Sequence, residues 1–229
     1  MDESRGARAP HPLNEIEDVV CTHGFWSHGA QMYLIKRRLE REYGFRVRLF
    51  SYPSVRGTID DNAAALARFL REQKLGAVHL IGHSLGGVVA LRMLANDPQA
   101  PPGRLVCMGS PLSGSRAAAL LAQKNWAERI IGHSLPTGVV QKAANEWGSH
   151  VCRSRDVGII AGTLSFGMGQ FVASFDEPND GTIALSETHL DGAKDHLEMK
   201  VTHQTMLVLP QCADQAAAFL KRGHFLRED

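Results

Sequence analysis

The chain has 229 residues, 44% of them hydrophobic and 21% charged, with a formal net charge of +1, a balance that fits one mid-sized globular domain. So small a net charge argues against a nucleic-acid footprint, which needs a clustered basic face. No apolar run is long enough to span a bilayer, and the four cysteines, at 21, 107, 152 and 212, form neither a CxxC pair nor a metal knuckle.

Residues 1–15 read as a flexible, polar leader with prolines at 10 and 12 and no apolar core of a signal peptide, so a cytoplasmic location is expected. "EDVVCTHG" then gives a short apolar strand ending at a glycine. "AQMYLIKRRLEREYG" carries helical spacing at Met32, Ile35 and Leu39, with Gly44 to stop it. "FRVRLFSYP" alternates as a strand does. "TIDDNAAALARFLREQKLG" reads as a helix with a polar start and a glycine end, and "AVHLIG" as a short buried strand. "SLGGVVALRMLAND" is a helix stopped by Pro98, and "GRLVCMGSP" the next strand. Cys21 and Cys107 fall in these apolar runs and read as buried thiols. The stretch 114–150 breaks the rhythm. It is mostly helical in pattern, carries Trp126 and Trp147, and reads either as a small helical lid or as a crossover helix with an excursion. "SRDVGIIAGT" resumes as a strand, "FGMGQ" is a glycine-rich loop, "DHLEMKV" a last strand and "QCADQAAAFLKRG" a last helix. Strand alternating with helix marks an α/β chain, a mostly parallel sheet covered on both faces. No linker divides it, so 1–229 is read as one domain.

The pentapeptide "IGHSL" occurs twice, at 81–85 and at 131–135. A serine hydroxyl is a weak nucleophile until a base takes its proton, and it must also stand clear of the sheet. A sharp strand-to-helix turn does that at the cost of backbone strain, and crowding favours glycine two residues to either side, as in G-x-S-x-G. Gly82, Ser84 and Gly86 satisfy the pattern, with a strand before and a helix after. In the second copy Pro136 stands where the second glycine belongs and disfavours helical backbone for Leu135, so Ser134 reads as a helix-end or loop residue.

On "GHSLG", with the strand–turn–helix context and the His-Gly loop of "VVCTHGFW", the chain resembles the α/β-hydrolase superfamily, in its serine esterase and lipase branch, from about residue 17 to 222. The strands that usually precede the His-Gly strand are missing, so the resemblance implies a sheet of about six strands. It also implies the chain order serine, acid, histidine. His203, in "VTHQTML" after the last strand, fits the base; His189 lies in a loop before that strand, and His196 begins it and would point to the wrong end of the sheet. Asp180, in "EPNDGTIAL", fits the acid that orients the imidazole, although "NDG" is equally an ordinary turn signal and Asp176 is its rival. Leu85, after the nucleophile, and Phe25, after the His-Gly pair, would donate the two backbone N–H groups of an oxyanion hole; His23 reads as a structural hydrogen-bonder.

The implied activity is hydrolysis of carboxylic esters, including lipids, through an acyl-enzyme on Ser84. A thioesterase or acyltransferase with the same triad is the alternative, and a non-catalytic binding protein on the same scaffold is the reading from another class. No cofactor or metal is implied: there is no Walker loop, no HExxH and no dinucleotide fingerprint. The expected partner is a small-molecule ester or lipid substrate, with no nucleic acid and no stable membrane insertion; oligomeric state is open.

Overall fold

The computed structural model describes residues 12–122, 143–165 and 176–227. Six strands, β1 (Asp18–Thr22), β2 (Arg46–Phe50), β3 (His79–His83), β4 (Leu105–Met108), β5 (Val157–Gly162) and β6 (Asp195–Met199), pair in the order β2-β1-β3-β4-β5-β6. Every pairing is parallel, as the strand–helix alternation requires. The described helices are α1 (Tyr33–Tyr43), α2 (Ile59–Glu72), α3 (Leu85–Asn96), α4 (Arg116–Ala122), α5 (Ala143–Cys152) and α6 (Pro210–Arg222).

Successive strand side chains point to opposite faces, and the strand residues sort accordingly. Val20, Leu80, Leu105, Cys107, Val157 and Ile159 join the residues of α2, α3 and α5 in one core. Val19, Cys21, Ile81, Val106, Met108 and Ile160 join those of α1 and α6 in the other. A strand buried on both faces has no polar side to show, which is why β3 and β4 are buried along their whole length. All four cysteines are unpaired thiols; Cys21 and Cys107 are buried as expected, and burial pushes the Cys21 thiol up to about 12.

Helix ends follow local chemistry. Gly44 (φ 74°) closes α1 and Gly223 (φ 79°) closes α6, each in the left-handed conformation that glycine adopts freely. Thr58 and Asp61 cap α2 reciprocally. The far end of α2 differs from the sequence reading: the helix stops before Gly76, and Lys74 takes the left-handed turn at φ 51°. At the inner end of the leader Leu13–Glu15 form a 3-10 turn, and Ile16, the residue after it, is buried. Residues 1–11, the middle of the lid-or-excursion segment (123–142, with Trp126 and Ser134) and the "FGMGQ" loop lie outside the described residues.

The strand order reverses direction between β1 and β3. From β1 the chain moves outward to β2, and from β3 it moves the other way to β4. The loops leaving their carboxyl ends therefore diverge, and in open α/β sheets such a switch point is where ligands bind.

At the opposite end of β3, His79 is fully buried and its Nδ1 accepts the Arg104 backbone N–H at 2.8 Å. Burial, helped by the Arg104 charge, pushes its pKa down to about 4. The unfolded chain binds that proton near pH 6.5 and the folded chain does not, so stability is lost as pH falls from about 6.5 to about 4 and is level below. At about 1.4 kcal/mol per pH unit the His79 share is about 3 kcal/mol. Urea unfolding at pH 7.5 and 4.5 should show this slope, and it should be shallower in His79→Asn, whose Oδ1 can take the place of Nδ1 without titrating.

Candidate active site

Ser84 lies at the end of β3 and caps α3, with φ 54° and ψ −124°. Its N–H donates to Met108 O at 2.8 Å, tying the turn to β4. The flanking glycines are required by space. A Cβ on Gly82 would lie 2.4 Å from Gly87 Cα, and one on Gly86 would lie 2.5 Å from Thr22 O, contacts that side chains do not make. The crowding inferred from "GHSLG" is thus present, and Gly86 also faces the end of β1. Three described non-glycine residues have positive φ: Lys74 on α2's far end, and Trp26 and Ser84. The last two lie just after β1 and β3, the strands on either side of the switch point, and strain of about 1–3 kcal/mol per residue is characteristic of functional sites.

The loop after β1 packs on Ser84. A Cβ on Gly24 would lie 3.1 Å from Ser84 Cβ, so the glycine lets the backbone close in. His23 is fully buried. Its Nδ1 hydrogen-bonds Gly24 O at 2.7 Å, its Nε2 accepts the Tyr52 N–H at 3.2 Å, and Tyr52 stacks on the ring at 4.3 Å and donates its hydroxyl to His23 O at 2.7 Å. Both ring nitrogens are spent on main chain, so His23 fixes the loop that carries Phe25. Leu85, the first residue of α3, is buried directly after Ser84.

Asp180 is fully buried, and its two carboxylate oxygens have separate duties. Oδ1 accepts the N–H groups of Thr182 (2.9 Å) and Ile183 (2.7 Å), making the turn that "NDG" announced. Oδ2 accepts from His203 Nδ1 at 2.6 Å. Turn residue and acid partner are therefore one residue with two oxygens. Asp176 is exposed. His203 follows β6, is buried, and its backbone N–H donates to Asp180 O at 2.8 Å. Its rivals go elsewhere: His189 is exposed and pairs with Asp191 (3.0 Å), and His196, within β6, meets Thr188 Oγ1 at 3.2 Å.

The Asp180–His203 pair stands over the ends of β4 and β5. A Cβ on Gly109 would lie 3.0 Å from Asp180 Oδ2 and 3.1 Å from His203 Nδ1, and Gly109 itself has φ 55°. A Cβ on Gly162 would meet Val201 O at 2.5 Å and Asp180 Cβ at 2.7 Å. These two glycines form the chamber for the pair, and neither was singled out from the sequence; the signal was a glycine at the carboxyl end of each strand, Gly162 as the last residue of β5 and Gly109 directly after β4. His203 in turn lies beside His83, the residue preceding Ser84, with ring centroids 4.6 Å apart. The Asp180–His203 bond is closed, whereas Ser84 Oγ makes no hydrogen bond to His203 among the described residues. Gly109→Ala is expected to lower turnover about 10²-fold by displacing the pair, with KM little changed; steady-state kinetics on one ester would measure it.

A cavity of about 800 Å³ beside the acid turn is lined by Ser113, Ser115, Arg116, Leu185, Glu187 and His196, with none of Ser84, Asp180 or His203 in its wall. Arg116 is held there by Glu177 and Glu187. Among the described residues no group of three His, Cys, Asp or Glu is placed to hold a metal, and no helix is long and apolar enough to cross a membrane.

A family model described as the alpha/beta hydrolase family matches residues 19–220. The mature form of a Bacillus licheniformis lipase, BlEst2, has a TM-score of 0.73 at 18% identity, covering 94% of this chain and 94% of that one. A protein of Listeria innocua has a TM-score of 0.62 at 18% identity, covering 94% and 96%. An extracellular alpha/beta-hydrolase of a Paenibacillus species has a TM-score of 0.57 at 14% identity, covering 90% and 99%. A search of curated protein sequences found no match. At such identities the structural likeness establishes the fold, six parallel strands wrapped by helices.

Proposed function

The chain belongs to the alpha/beta hydrolase family, and from that premise we propose that it is a serine hydrolase cleaving carboxylic esters of small molecules or lipids through a Ser84–His203–Asp180 triad. The observation that carries this reading is the Asp180–His203 hydrogen bond at 2.6 Å, with the His203 ring 4.6 Å from that of His83, the residue before a serine held at φ 54°. In this mechanism Ser84 Oγ attacks the ester carbonyl carbon and its proton passes to His203 Nε2. The backbone N–H groups of Leu85 and Phe25 receive the charge that develops on the carbonyl oxygen. His203 then protonates the departing alkoxide, leaving the acyl group on Ser84. Water attacks that acyl-enzyme, His203 takes its proton, and the carboxylic acid leaves as the proton returns to Ser84 Oγ. A reducing, cytoplasmic setting is proposed on four unpaired thiols.

A fluorophosphonate probe, which phosphonylates activated serines and spares ordinary ones, tests this directly. Stoichiometric label on the peptide bearing Ser84, with none on Ser134, is expected. Label on Ser134, or none on folded protein with and without detergent, would overturn it. Product analysis with ester and thioester substrates, with and without an alcohol acceptor, then separates hydrolysis from transfer.

A further inference from the structure

We infer that His83 is a positioning residue for the base: its imidazole clamps the main chain of His203 and so fixes the height of that ring over Ser84. The inference rests on the reading of His203 as the base and goes beyond it, because nothing in G-x-S-x-G demands a histidine at this position.

His83 ends β3 and is almost wholly buried, 1% exposed. Its Nε2 lies 3.0 Å from His203 O. A carbonyl only accepts, so Nε2 must carry the proton and Nδ1 must be bare. Nδ1 is buried with no hydrogen-bond partner among the described residues. It faces Gly24, on which a Cβ would lie 3.2 Å away. A buried acceptor without a partner is uncommon enough to need a reason, and here the reason is the bond made by the other nitrogen of the same ring.

That bond completes a chain of main-chain ties through the triad. His203 N–H donates to Asp180 O, its C=O receives from His83, and His83 is covalently joined to Ser84. The backbone of the base is thereby held from the acid on one side and from the nucleophile strand on the other. The segment it belongs to is otherwise irregular, lying between β6 and a 3-10 turn at Thr205–Leu207, so no regular element holds it in register. The ring is also kept neutral, which leaves Nδ1 bare while Nε2 keeps its proton for His203 O. Burial, with the neighbouring His203 adding to it, keeps the pKa of His83 well below the usual histidine range.

Two measurements test this. Long-range ¹H–¹⁵N spectra of the histidines in the intact protein should show His83 as the neutral Nε2–H tautomer; an Nδ1–H tautomer would overturn the clamp, whether or not the protein is catalytic. The second is the rate of fluorophosphonate labelling at saturating probe. His83→Leu, which removes the donor, should lower the maximal rate about 10- to 100-fold while leaving the half-saturating probe concentration unchanged. His83→Gln, whose amide N–H reaches the place of Nε2, should recover to within about threefold of wild type. Wild-type labelling by His83→Leu, or equal losses in both variants with matched thermal stability, would overturn the proposal. Should His83→Leu not fold, His83→Met, which fills irregular space, replaces it as the donor-free variant. Absence of label on the wild type would instead refute the hydrolase reading, and the tautomer measurement would still decide the clamp.

Discussion

Replacing Ser84 by alanine should lower turnover by about 10⁶-fold, the size of loss that follows removal of the nucleophile in a serine hydrolase, while the fold and its thermal midpoint stay as they were. Ser84 sits at φ 54°, a conformation that costs alanine as much as serine, so removing the hydroxyl relieves nothing. Glycine differs, since it adopts positive φ without a Cβ clash. Ser84→Gly should be as inactive as Ser84→Ala but more stable, by about 1 kcal/mol, which for a chain of this size raises Tm by about 2–4 °C. Both variants measured side by side separate the two consequences of the strained turn: loss of chemistry in both, gain of stability in glycine alone. Substantial residual turnover in both would show that Ser84 is not the nucleophile. Equal Tm values would show that the turn is not strained.

The parts of this molecule legible in the sequence are those where one local rule decides. The period-2 and helical patterns placed all six strands and the helices between them, because a parallel strand buried on both faces must be apolar throughout. Gly82 and Gly86 were legible because steric exclusion at the turn admits nothing larger, as the 2.4 Å and 2.5 Å approaches make plain. The end of α2 was misread for the complementary reason. A left-handed residue favours glycine but does not demand it on an exposed surface, and Lys74 occupies that conformation although Gly76 is two residues away.

What the sequence hid is what depends on several strands at once. The sequence favoured Asp180 for its "NDG" turn and left Asp176 as its rival. The folded turn adds what the sequence did not carry: it commits Oδ1 of Asp180 to two backbone N–H groups and turns Oδ2 to His203. Gly109 follows β4 and Gly162 ends β5, as many glycines do at strand ends. Their place around the Asp180–His203 pair arises from contacts across 18 to 94 residues of sequence. His83 was read as one letter of a motif, and its bond to His203 O spans 120 residues.

The same division of duties makes Asp180→Asn the most discriminating test of the acid. An asparagine there can place its oxygen toward Thr182 and Ile183 or toward His203, not both. Turning the amide nitrogen toward the two backbone donors would leave both N–H groups without acceptors in a buried turn, at about 1–3 kcal/mol each. The oxygen therefore stays with the turn, and the NH₂ group faces His203 Nδ1. Nδ1 must then accept, the ring proton moves to Nε2, and the imidazole can no longer take a proton from Ser84. The expected result is a fall in turnover of about 10⁴-fold with the turn and the global stability largely kept. Asp180→Ala should lose the activity and also destabilise the fold, because it leaves both turn donors unpaired. Asp176→Asn, altering an exposed side chain, should behave as wild type. If Asp180→Asn instead retained near-wild-type kcat and Asp176→Asn lost it, the carboxylate bonded to His203 in the folded chain would not be the one that works during turnover.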